Sequence, residues 1–274
     1  MNRSILWDCH MHSLFSADSG TPMEAMIEKA FALGLSGICF TEHLDPDYPP
    51  TPDNLSFSLD LPAYRNKLFA LRETWMGKID LRFGIELGLQ PHLGTYFTRL
   101  LSENDFDFVI GSSHIVHGQD PYYPDFFAGR AQTDCYREYF DSILENLAAF
   151  DACDTYGHLD YVVRYGPTRN QGFLYRDYCD VIDKILRTLI SKNIALELNT
   201  GGYHYGLGEP NPCTDILKRY RELGGELITI GADAHTPDKI AFAFDRAAQV
   251  LHSCGFRYYT VFRHRRPEFF PIKE

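Results

Sequence analysis

Short apolar runs alternate along the chain with longer stretches in which apolar residues recur at helical spacing. An apolar run at 4–12 is followed by a helical pattern at 23–34 and by a second apolar run at 35–43. Short runs of this kind are typical of strands buried in a parallel sheet, and amphipathic stretches are typical of the helices that connect them. The opening of the chain therefore predicts a strand, a helix and a second strand.

The same alternation continues to the end of the chain. Further strands are predicted at 79–87, 107–116, 155–163, 194–200 and 226–235, and helices at 92–104, 136–150, 175–193, 214–224 and 238–255. Gly34, Gly224 and Gly255 stand where helix C-terminal caps are expected. Alternating strands and helices require a parallel sheet covered by helices, and seven such units favour a barrel related to the (β/α)₈ form. A doubly wound open sheet is the alternative architecture.

Two predicted connections are unusually long. The segment 45–62 is too rich in proline and aspartate for a helix, so we predict a long loop after the second strand. A second insertion, at 117–134, follows the fourth strand. In a barrel of this kind both insertions would overhang the face where the strands end, which is where barrel active sites lie.

Composition excludes several classes of protein. The 274 residues are 45% hydrophobic, enough for a large core, and the net charge of −11 disfavours nucleic acid and anionic membranes as partners. No apolar stretch reaches the roughly 18 residues of a membrane helix, and the start lacks a secretory signal. The seven cysteines are scattered and never form a C-x-x-C motif. We therefore expect a cytoplasmic protein with reduced thiols, without a membrane or nucleic-acid partner.

Histidines and carboxylates gather at the C-terminal ends of the predicted strands. The residues concerned are His10, His12, Glu42, His43, Glu86, His114, His158, Asp233 and His235. Side chains two residues apart on a strand face the same side, and parallel strands bring all their C-terminal ends to one rim. Imidazole and carboxylate donors suit divalent zinc, manganese or iron. The sequence thus predicts a metal site, with Glu42 orienting a ligand rather than binding metal.

A metal site of this kind predicts hydrolysis of a phosphate ester. Two ions about 3.5–4 Å apart can activate water and stabilise both oxygens of a phosphoryl displacement. The chain lacks the G-x-x-x-x-G-K-[ST] loop, so metals and cationic side chains would have to bind the phosphate.

Several residues near the strand ends are candidates for handling the substrate. Arg164 is the preferred phosphate clamp, since its planar fork can grip two oxygens, although it could also be a surface arginine. His117 is expected to bind substrate or to protonate the leaving group, with an exposed loop residue as the alternative. Arg130, Asn199 and His204 are further substrate-binding candidates.

The segments that carry these residues resemble the ordered motifs of the PHP (polymerase and histidinol phosphatase) family. They read DCHMHSLFSADSG (8–20), CFTEH (39–43), GIELG (84–88), GSSHIVHG (111–118), GHLDYVVRYG (157–166) and GADAH (231–235). The opening H-x-H-S-x-F-S-x-D and the later S-H and G-H-x-D most resemble the histidinol-phosphatase branch. The resemblance implies a distorted seven-stranded (β/α)₇ barrel in a single domain, 1–274. Its motifs span about 5–236, and a final helix and C-terminal segment would occupy 237–274.

The resemblance also implies how two to three divalent ions, zinc, iron or manganese, would be held. The first ion would be bound by His10, His12, Glu86 and Asp233. Glu86 would bridge to a second ion held by His114 and His158, and a third would use Asp18, His43 and His235. Family members often have histidine where this chain has Asp18, and its other interpretation is a cap for the helix beginning near Met23.

The reaction implied by the resemblance is hydrolysis of the small phosphate ester L-histidinol phosphate in histidine biosynthesis. A hydroxide bridging two ions would attack phosphorus in line. Aromatic faces attract cations, so a cationic substrate is compatible with aromatic residues expected near the mouth. These are Tyr122, Tyr123, Phe126, Phe127 and Tyr203. Three alternatives stay open: a PHP phosphoesterase acting on nucleotides or DNA ends, a noncatalytic metal-binding barrel, and an amidohydrolase-like hydrolase. The sequence leaves the oligomeric state open.

Overall fold

Seven parallel strands follow one another around a single sheet in chain order. The computed structural model describes residues 3–50 and 54–273. The strands are β1 (Trp7–Asp8), β2 (Gly37–Leu44), β3 (Asp80–Gly88), β4 (Phe108–Ser112), β5 (Thr155–Tyr156), β6 (Ala195–Asn199) and β7 (Ile228–Gly231). Every residue of β2 is buried, as expected where a parallel sheet is covered on both faces.

The sheet curls until its first and last strands meet. Just beyond these strands, the Cys9 N–H donates to the Ile230 carbonyl at 3.0 Å, and the Asp233 N–H donates to the His10 carbonyl at 2.9 Å. The His12 N–H donates to the Ala234 carbonyl at 2.9 Å. A doubly wound sheet would reverse its strand order partway, whereas here the order follows the chain. The predicted seven-stranded barrel is therefore confirmed, and the open-sheet alternative is wrong.

Helices cover the outside of the barrel. They are α1 (Met23–Ala32), α2 (Leu61–Thr74), α3 (Gly94–Glu103), α4 (Gln132–Ala149), α5 (Cys179–Lys192), α6 (Gly201–His204), α7 (Thr214–Glu222) and α8 (Phe244–Ser253). Short 3₁₀ turns occupy Pro91–Leu93, Pro124–Phe127, Tyr161–Arg164, Tyr175–Asp177 and Pro237–Lys239. The predicted capping glycines follow α1, α7 and α8, and Gly224, for example, has a φ of +95°. An apolar stripe buries each helix against the sheet, as Val181, Ile185 and Leu189 do on α5.

The sequence pattern, as interpreted above, assigns no helix between the second and third strands, but the structure places α2 there. Its signals are local, because the Asp60 side chain accepts a hydrogen bond from the Ala63 N–H and Pro62 lies in the first turn. Tyr64, Leu68 and Leu71 form its buried face. The predicted loop 45–62 is irregular over 45–50 and 54–60, while 51–53 lie outside the described residues.

The strands β1 and β5 are much shorter than predicted because side chains replace part of the strand hydrogen bonding. The Asp8 carboxylate accepts hydrogen bonds from the N–H groups of His10, Ala232 and Ala241, which ends β1 at Asp8. The chain leaves β5 after Tyr156 and turns into the 3₁₀ turn Tyr161–Arg164. Arg164 therefore lies on a tight turn rather than just past a long strand.

A C-terminal hairpin was not predicted from the sequence. The antiparallel strands β8 (Tyr258–Arg263) and β9 (Arg266–Pro271) follow α8. His264 and Arg265 connect them with positive φ values of 47° and 62°. Two-residue turns of this hand usually contain Asn or Gly, and neither is present, so the usual hairpin signal is missing.

Two expectations from composition can be compared with the structure. The seven cysteines, all within the described residues, form no disulfide. Over 3–50 and 54–273, no helix combines the length and apolar character needed to cross a membrane. The expectation that residues 1–274 form one domain stays a prediction.

Candidate metal centre

The C-terminal rim of the barrel gathers the predicted histidines and acids into one cluster. His43 and Glu86 lie in β2 and β3, Asp18 lies in the loop before α1, and the others follow shortly after their strands. The cluster contains His10, His12, Asp18, His43, Glu86, His114, His158, Asp233 and His235. His10, His12 and Glu86 are fully buried, whereas Asp18 and His235 lie at the more open edge.

Glu86 is the centre of this cluster. The surrounding imidazole nitrogens are His43 Nδ1 at 3.0 Å, His158 Nε2 at 3.0 Å, His10 Nε2 at 3.1 Å and His114 Nε2 at 3.3 Å. His10 and His43 face Glu86 Oε2, while His114 and His158 face Oε1. Because its two oxygens face different pairs of histidines, this carboxylate is placed to bridge two ions.

Several groups of three donor atoms lie within 4.8 Å of one another. The groups are His10–His12–Glu86, His43–Glu86–His114, His10–His158–Asp233 and His12–His43–His235. The grouping overlaps the division implied by the family resemblance but differs at two ligands. His158 groups with His10 and Asp233 rather than with His114, and His43 also reaches the Glu86 and His114 pair. The described residues can therefore hold metal ions.

Asp18 joins the open edge of the cluster. Its Oδ2 lies 3.1 Å from His235 Nε2 and 3.6 Å from His43 Nε2. The α1 helix that follows has Pro22 at its N-cap position, with no side-chain cap. Asp18 therefore faces the two histidines with which the resemblance groups it, and it does not cap the helix.

Buried polar atoms without hydrogen-bond partners test whether the site fits a metal. His12 Nε2 lies 3.5 Å from Glu86 Oε2 and 3.4 Å from Asp233 Oδ1, yet it makes no hydrogen bond. His158 Nδ1 and Asp45 Oδ2 are also buried and unpartnered. Buried polar groups are normally satisfied, so a nitrogen placed between two carboxylates in this way suits a bound cation. The nitrogen and oxygen donor set is the one that zinc, iron and manganese accept.

Without metal, only protons can neutralise the carboxylates of the cluster, and the pKa values of its members shift strongly as a result. Burial alone would lower the pKa of His43, but Asp18 and Glu86 beside it raise that pKa to about 9. Burial likewise opposes the charge on Glu86, yet His10, His43 and His114 hold its pKa well below the usual value. Burial lowers the pKa of His12, and His43 and His235 lower it further. Protons therefore occupy positions that a divalent cation would take.

Hydrogen bonds behind the cluster fix the orientation of its histidines. The Nδ1 of His10 lies 2.7 Å from Glu197 Oε1, and the Nδ1 of His114 lies 2.7 Å from Asp45 Oδ1. These contacts hold the Nε2 atoms of both rings toward the interior of the site. Sequence reasoning missed Glu197 and Asp45. The signal for Glu197 was a carboxylate inside the apolar strand β6, where a charge needs a partner.

Glu42 contacts His12 indirectly, through Ser16, which agrees with the expectation that it orients a ligand rather than binding metal. Its carboxylate accepts hydrogen bonds from the Ser13 and Ser16 hydroxyls at 2.5 and 2.6 Å. The Ser16 Oγ lies 3.2 Å from His12 Nδ1. Glu42 thus orients His12 through Ser16 and does not face the metal positions.

Arg164 lies against the cluster and borders the cavity. Its Nη1 donates to Asp233 Oδ2 at 3.0 Å, and its Nη2 donates to Asn199 Oδ1 at 3.1 Å. Its Nε donates to Asn211 Oδ1 at 2.8 Å, and its guanidinium carbon lies 4.6 Å from the ring centre of Tyr205. Asn199 therefore positions Arg164, and the expectation that Asn199 itself contacts substrate stays a prediction.

Three other predicted substrate residues lie away from the cavity. A tight turn at Val116–Gln119 gives His117 a φ of +47° and directs it to Glu138 and Glu145 on α4. Arg130 pairs with the same Glu138. The His204 ring packs near Tyr205 and Phe242 without bordering the cavity. The structure places none of these three side chains in the cavity wall, so it gives no support to their expected roles in substrate binding or catalysis, which stay predictions.

A cavity of about 300 Å³ opens above the cluster. The two predicted insertions border it: one contributes Asp45, Tyr48 and Phe57, and the other contributes Asp120 and Tyr122. The second insertion also contributes Tyr123. The remaining wall includes Tyr161, Arg164, Tyr165 and Tyr205 together with side chains of the metal cluster. A small molecule with a phosphate and a short organic part would fill a space of this size.

The aromatic residues expected at the mouth divide into two groups. Tyr122 and Tyr123 line the cavity as expected. Phe126 and Phe127 turn into the core instead, and Arg246 covers the ring of Tyr203 at 3.9 Å. Phe126 and Phe127 lie in the 3₁₀ turn Pro124–Phe127, which directly follows Tyr123.

Comparison with known proteins agrees with this geometry. The profile of the PHP domain family matches residues 8–201. A histidinol-phosphatase of Lactococcus lactis is 32% identical over 256 residues, covering 93% of each chain. A probable histidinol-phosphatase of Thermotoga maritima is 29% identical over 254 residues, covering 93% of this chain and 94% of the other.

Solved structures give the same picture. The crystal structure of histidinol phosphate phosphatase from Lactococcus lactis, complexed with zinc, L-histidinol and phosphate, superposes with a TM-score of 0.88 at 32% identity. The superposition covers 96% of this chain and 98% of that chain. The structure of a Listeria monocytogenes protein covers 88% of this chain and 99% of its own chain, with a TM-score of 0.69. At 18% identity, this second match supports the fold alone.

Proposed function

The chain belongs to the PHP domain family, and from this premise we propose that it is a metal-dependent phosphomonoesterase that hydrolyses L-histidinol phosphate to L-histidinol and phosphate. The observation that carries the proposal is the ring of four imidazoles around Glu86, which opens into a cavity bordered by Arg164. The Lactococcus structure, which contains zinc, L-histidinol and phosphate, supports the choice of substrate at 32% identity.

The donor set fits two to three divalent ions, with zinc as the first choice and iron or manganese as alternatives. His10, His12, Glu86 and Asp233 would hold one ion, and Glu86 would share a second with histidines on its Oε1 side. Asp18 and His235 would complete a third at the open edge. Bound there, the ions would activate water and neutralise charge on the phosphoryl oxygens.

The side chains of this chain supply binding and orientation. Arg164 has three of its nitrogens fixed by neighbours, and its remaining N–H groups can donate to phosphate oxygens from a preset position. Glu197 and Asp45 fix the rings of His10 and His114, so neither ring has to reorient when a ligand arrives. Preset donors of this kind favour the transition state because they do not reorganise during the reaction.

The proposed reaction places the protein in histidine biosynthesis. Its seven unpaired cysteines suit a reducing compartment, so we include a cytoplasmic location in the proposal.

Phosphate release from a small panel of esters tests the proposal. The panel contains L-histidinol phosphate, AMP and a phosphodiester, each presented to zinc-loaded protein of measured metal content. We expect kcat/KM for L-histidinol phosphate to exceed the other two by at least about tenfold, since each 1.4 kcal/mol of selective binding gives that factor. Glu86→Ala and Asp233→Ala should abolish release, whereas Glu28→Gln, on the exposed side of α1, should not.

Two results would overturn the proposal. Equal or faster hydrolysis of AMP or the phosphodiester would contradict the substrate assignment. Full metal occupancy without turnover of any ester would instead support a noncatalytic metal-binding barrel.

A further inference from the structure

A buried carboxylate in the cavity wall has only neutral partners. Asp120 is 6% exposed and borders the cavity. It accepts hydrogen bonds from the Tyr48 hydroxyl at 2.5 Å, the Tyr122 N–H at 2.7 Å and the Tyr161 hydroxyl at 3.3 Å. In the described part of the chain, no basic side chain forms an ion pair with it.

An unpaired charge in this position is costly. Buried carboxylates are normally paired with a cation or bound to metal, because neutral hydrogen bonds offset only part of the lost hydration. Burial accordingly raises the pKa of Asp120 above its usual value. The three neutral donors fix the position of the carboxylate, while the face toward the cavity remains open to a ligand.

A second carboxylate borders the same cavity. Asp45 is 3% exposed, its Oδ1 contacts His114 Nδ1, and its Oδ2 lies 3.8 Å from His43 Nδ1. Tyr48, Tyr122, Tyr161, Tyr165 and Tyr205 border the same cavity. Carboxylates together with tyrosine rings form an environment that attracts a positive charge.

The separation between Asp120 and the metal cluster is about the length of one tyrosine side chain. The Tyr161 ring centre lies 5.2 Å from that of His158 and 5.4 Å from that of His114, and its hydroxyl reaches Asp120. Arg164 borders the same cavity beside Asp233. The cavity thus offers a cationic group for phosphate, Arg164, and an acidic group for a positive charge, Asp120.

We propose that Asp120 recognises the positive charge on the alcohol part of the substrate, an ammonium or imidazolium a few bonds from the phosphate. Tyr48 and Tyr161 position the Asp120 carboxylate. This inference rests on the proposed phosphatase function and adds the residue that selects cationic esters over neutral ones. None of the metal ligands distinguishes a cationic ester from a neutral one. The selection between them therefore has to come from another part of the cavity wall, which includes Asp120.

The isosteric variant Asp120→Asn tests the proposal because it removes the charge and keeps the shape. The measured quantity is the ratio of kcat/KM for L-histidinol phosphate to kcat/KM for p-nitrophenyl phosphate, whose leaving group carries no cation. We expect this ratio to fall about 10- to 100-fold, as for loss of a hydrogen bond between charged groups. The KM for L-histidinol phosphate should carry most of the change, and calorimetry should show L-histidinol binding weakened by a similar factor.

Matched variants keep the test decisive. Asp125→Asn changes an exposed aspartate of the same insertion and should leave the ratio at the wild-type value. Tyr48→Phe removes one of the donors to Asp120 and should lower the ratio in the same direction by a smaller factor. It also provides a second test if Asp120→Asn folds poorly.

The inference and the proposed function fail in different ways. If wild-type protein hydrolyses both esters and Asp120→Asn lowers both values of kcat/KM equally, Asp120 is structural and the inference is overturned. The same conclusion follows if the affinity for L-histidinol is unchanged in Asp120→Asn. If zinc-loaded wild-type protein hydrolyses neither ester, the proposed function fails before any variant is compared.

Discussion

Individual ring nitrogens determine what the histidines of this centre can bind. His10 and His114 each direct Nδ1 to a carboxylate behind them, Glu197 or Asp45, and Nε2 to Glu86. A carboxylate behind a histidine sets its tautomer and increases its basicity as a ligand. The affinity of the site for metal therefore depends on residues that would touch no ion.

Glu197 offers the sharpest test of this dependence. Glu197→Gln keeps the size of the side chain but weakens the hydrogen bond to His10 and the one to the His158 N–H. We predict that zinc affinity, measured by competition with a chromogenic chelator, falls about 10- to 100-fold, as is typical for residues behind a metal ligand. Glu28→Gln should retain wild-type affinity, and an unchanged affinity in Glu197→Gln would contradict the supporting role.

At this scale the sequence predicted residues whose role follows from their position on a strand. His10, His12 and Glu86 could be found because side chains at strand ends share one rim. Asp18 lies in a loop and was indicated only by family resemblance. Asp120 could not be found, because its significance depends on the neutral partners that surround it. His117 was misplaced because a positive φ reverses the direction of its side chain.

The site lies at the ends of the strands, where β7 packs closely against the segment that follows β1. Beyond β7 the chain bends sharply, with Asp233 at a φ of +56°, a conformation uncommon for non-glycine residues. Gly231, the last residue of β7, lies directly against β1. A Cβ atom there would stand 2.2 Å from His10 Cβ and 2.6 Å from Glu197 Oε1. A side chain at this position would displace His10 from its carboxylate.

Gly231→Ala should therefore damage the site through the strand rather than through a ligand. We predict destabilisation of about 1–3 kcal/mol, typical of overpacking in a core, together with weaker zinc binding. Denaturant unfolding and chelator competition measure the two effects. Gly20→Ala, where a Cβ atom would meet nothing within 4 Å, provides the matched control. Wild-type stability in Gly231→Ala would show that the strands separate more easily than this packing implies.

Most elements could be predicted from the alternation of apolar runs and helical patterns. The helix α2 was missed because the proline-rich segment before it was extended to 62, although Asp60 caps the helix. The hairpin of β8 and β9 was missed because its turn, His264–Arg265, lacks the usual turn residues. The short β1 and β5 could not be predicted, because each depends on a hydrogen bond to a distant residue. The Asp8 carboxylate of β1 accepts from the Ala232 N–H, and the His158 N–H after β5 donates to Glu197.

The whole molecule concentrates negative charge where its strands converge. With a net charge of −11 and several carboxylates at one rim, the protein stabilises protonated histidines in the absence of metal. The closed barrel makes this possible because residues separated by most of the chain, such as His10 and Asp233, become neighbours. Stability, proton uptake and metal binding are therefore linked.

This linkage predicts different pH responses for metal-free and zinc-loaded protein. The pKa of His43, raised to about 9 in the folded protein against about 6.5 when unfolded, stabilises the metal-free fold fully below pH 6.5. That contribution is lost as the pH rises toward 9, so the Tm of chelator-treated protein should fall over this range. Zinc replaces the protons, so the loaded protein should not show this fall. Parallel pH profiles in the two forms would contradict the linkage.

The central claim is that the rim cluster holds metal ions, and anomalous X-ray scattering from crystals of zinc-loaded protein tests it directly. Data collected at the zinc absorption edge should give at least one strong peak bounded by His10, His12, Glu86 and Asp233, and a neighbouring peak across Glu86. Changing Glu86 to alanine should remove the shared peaks. A zinc-soaked crystal of folded wild-type protein with no anomalous peak among these side chains would contradict the account.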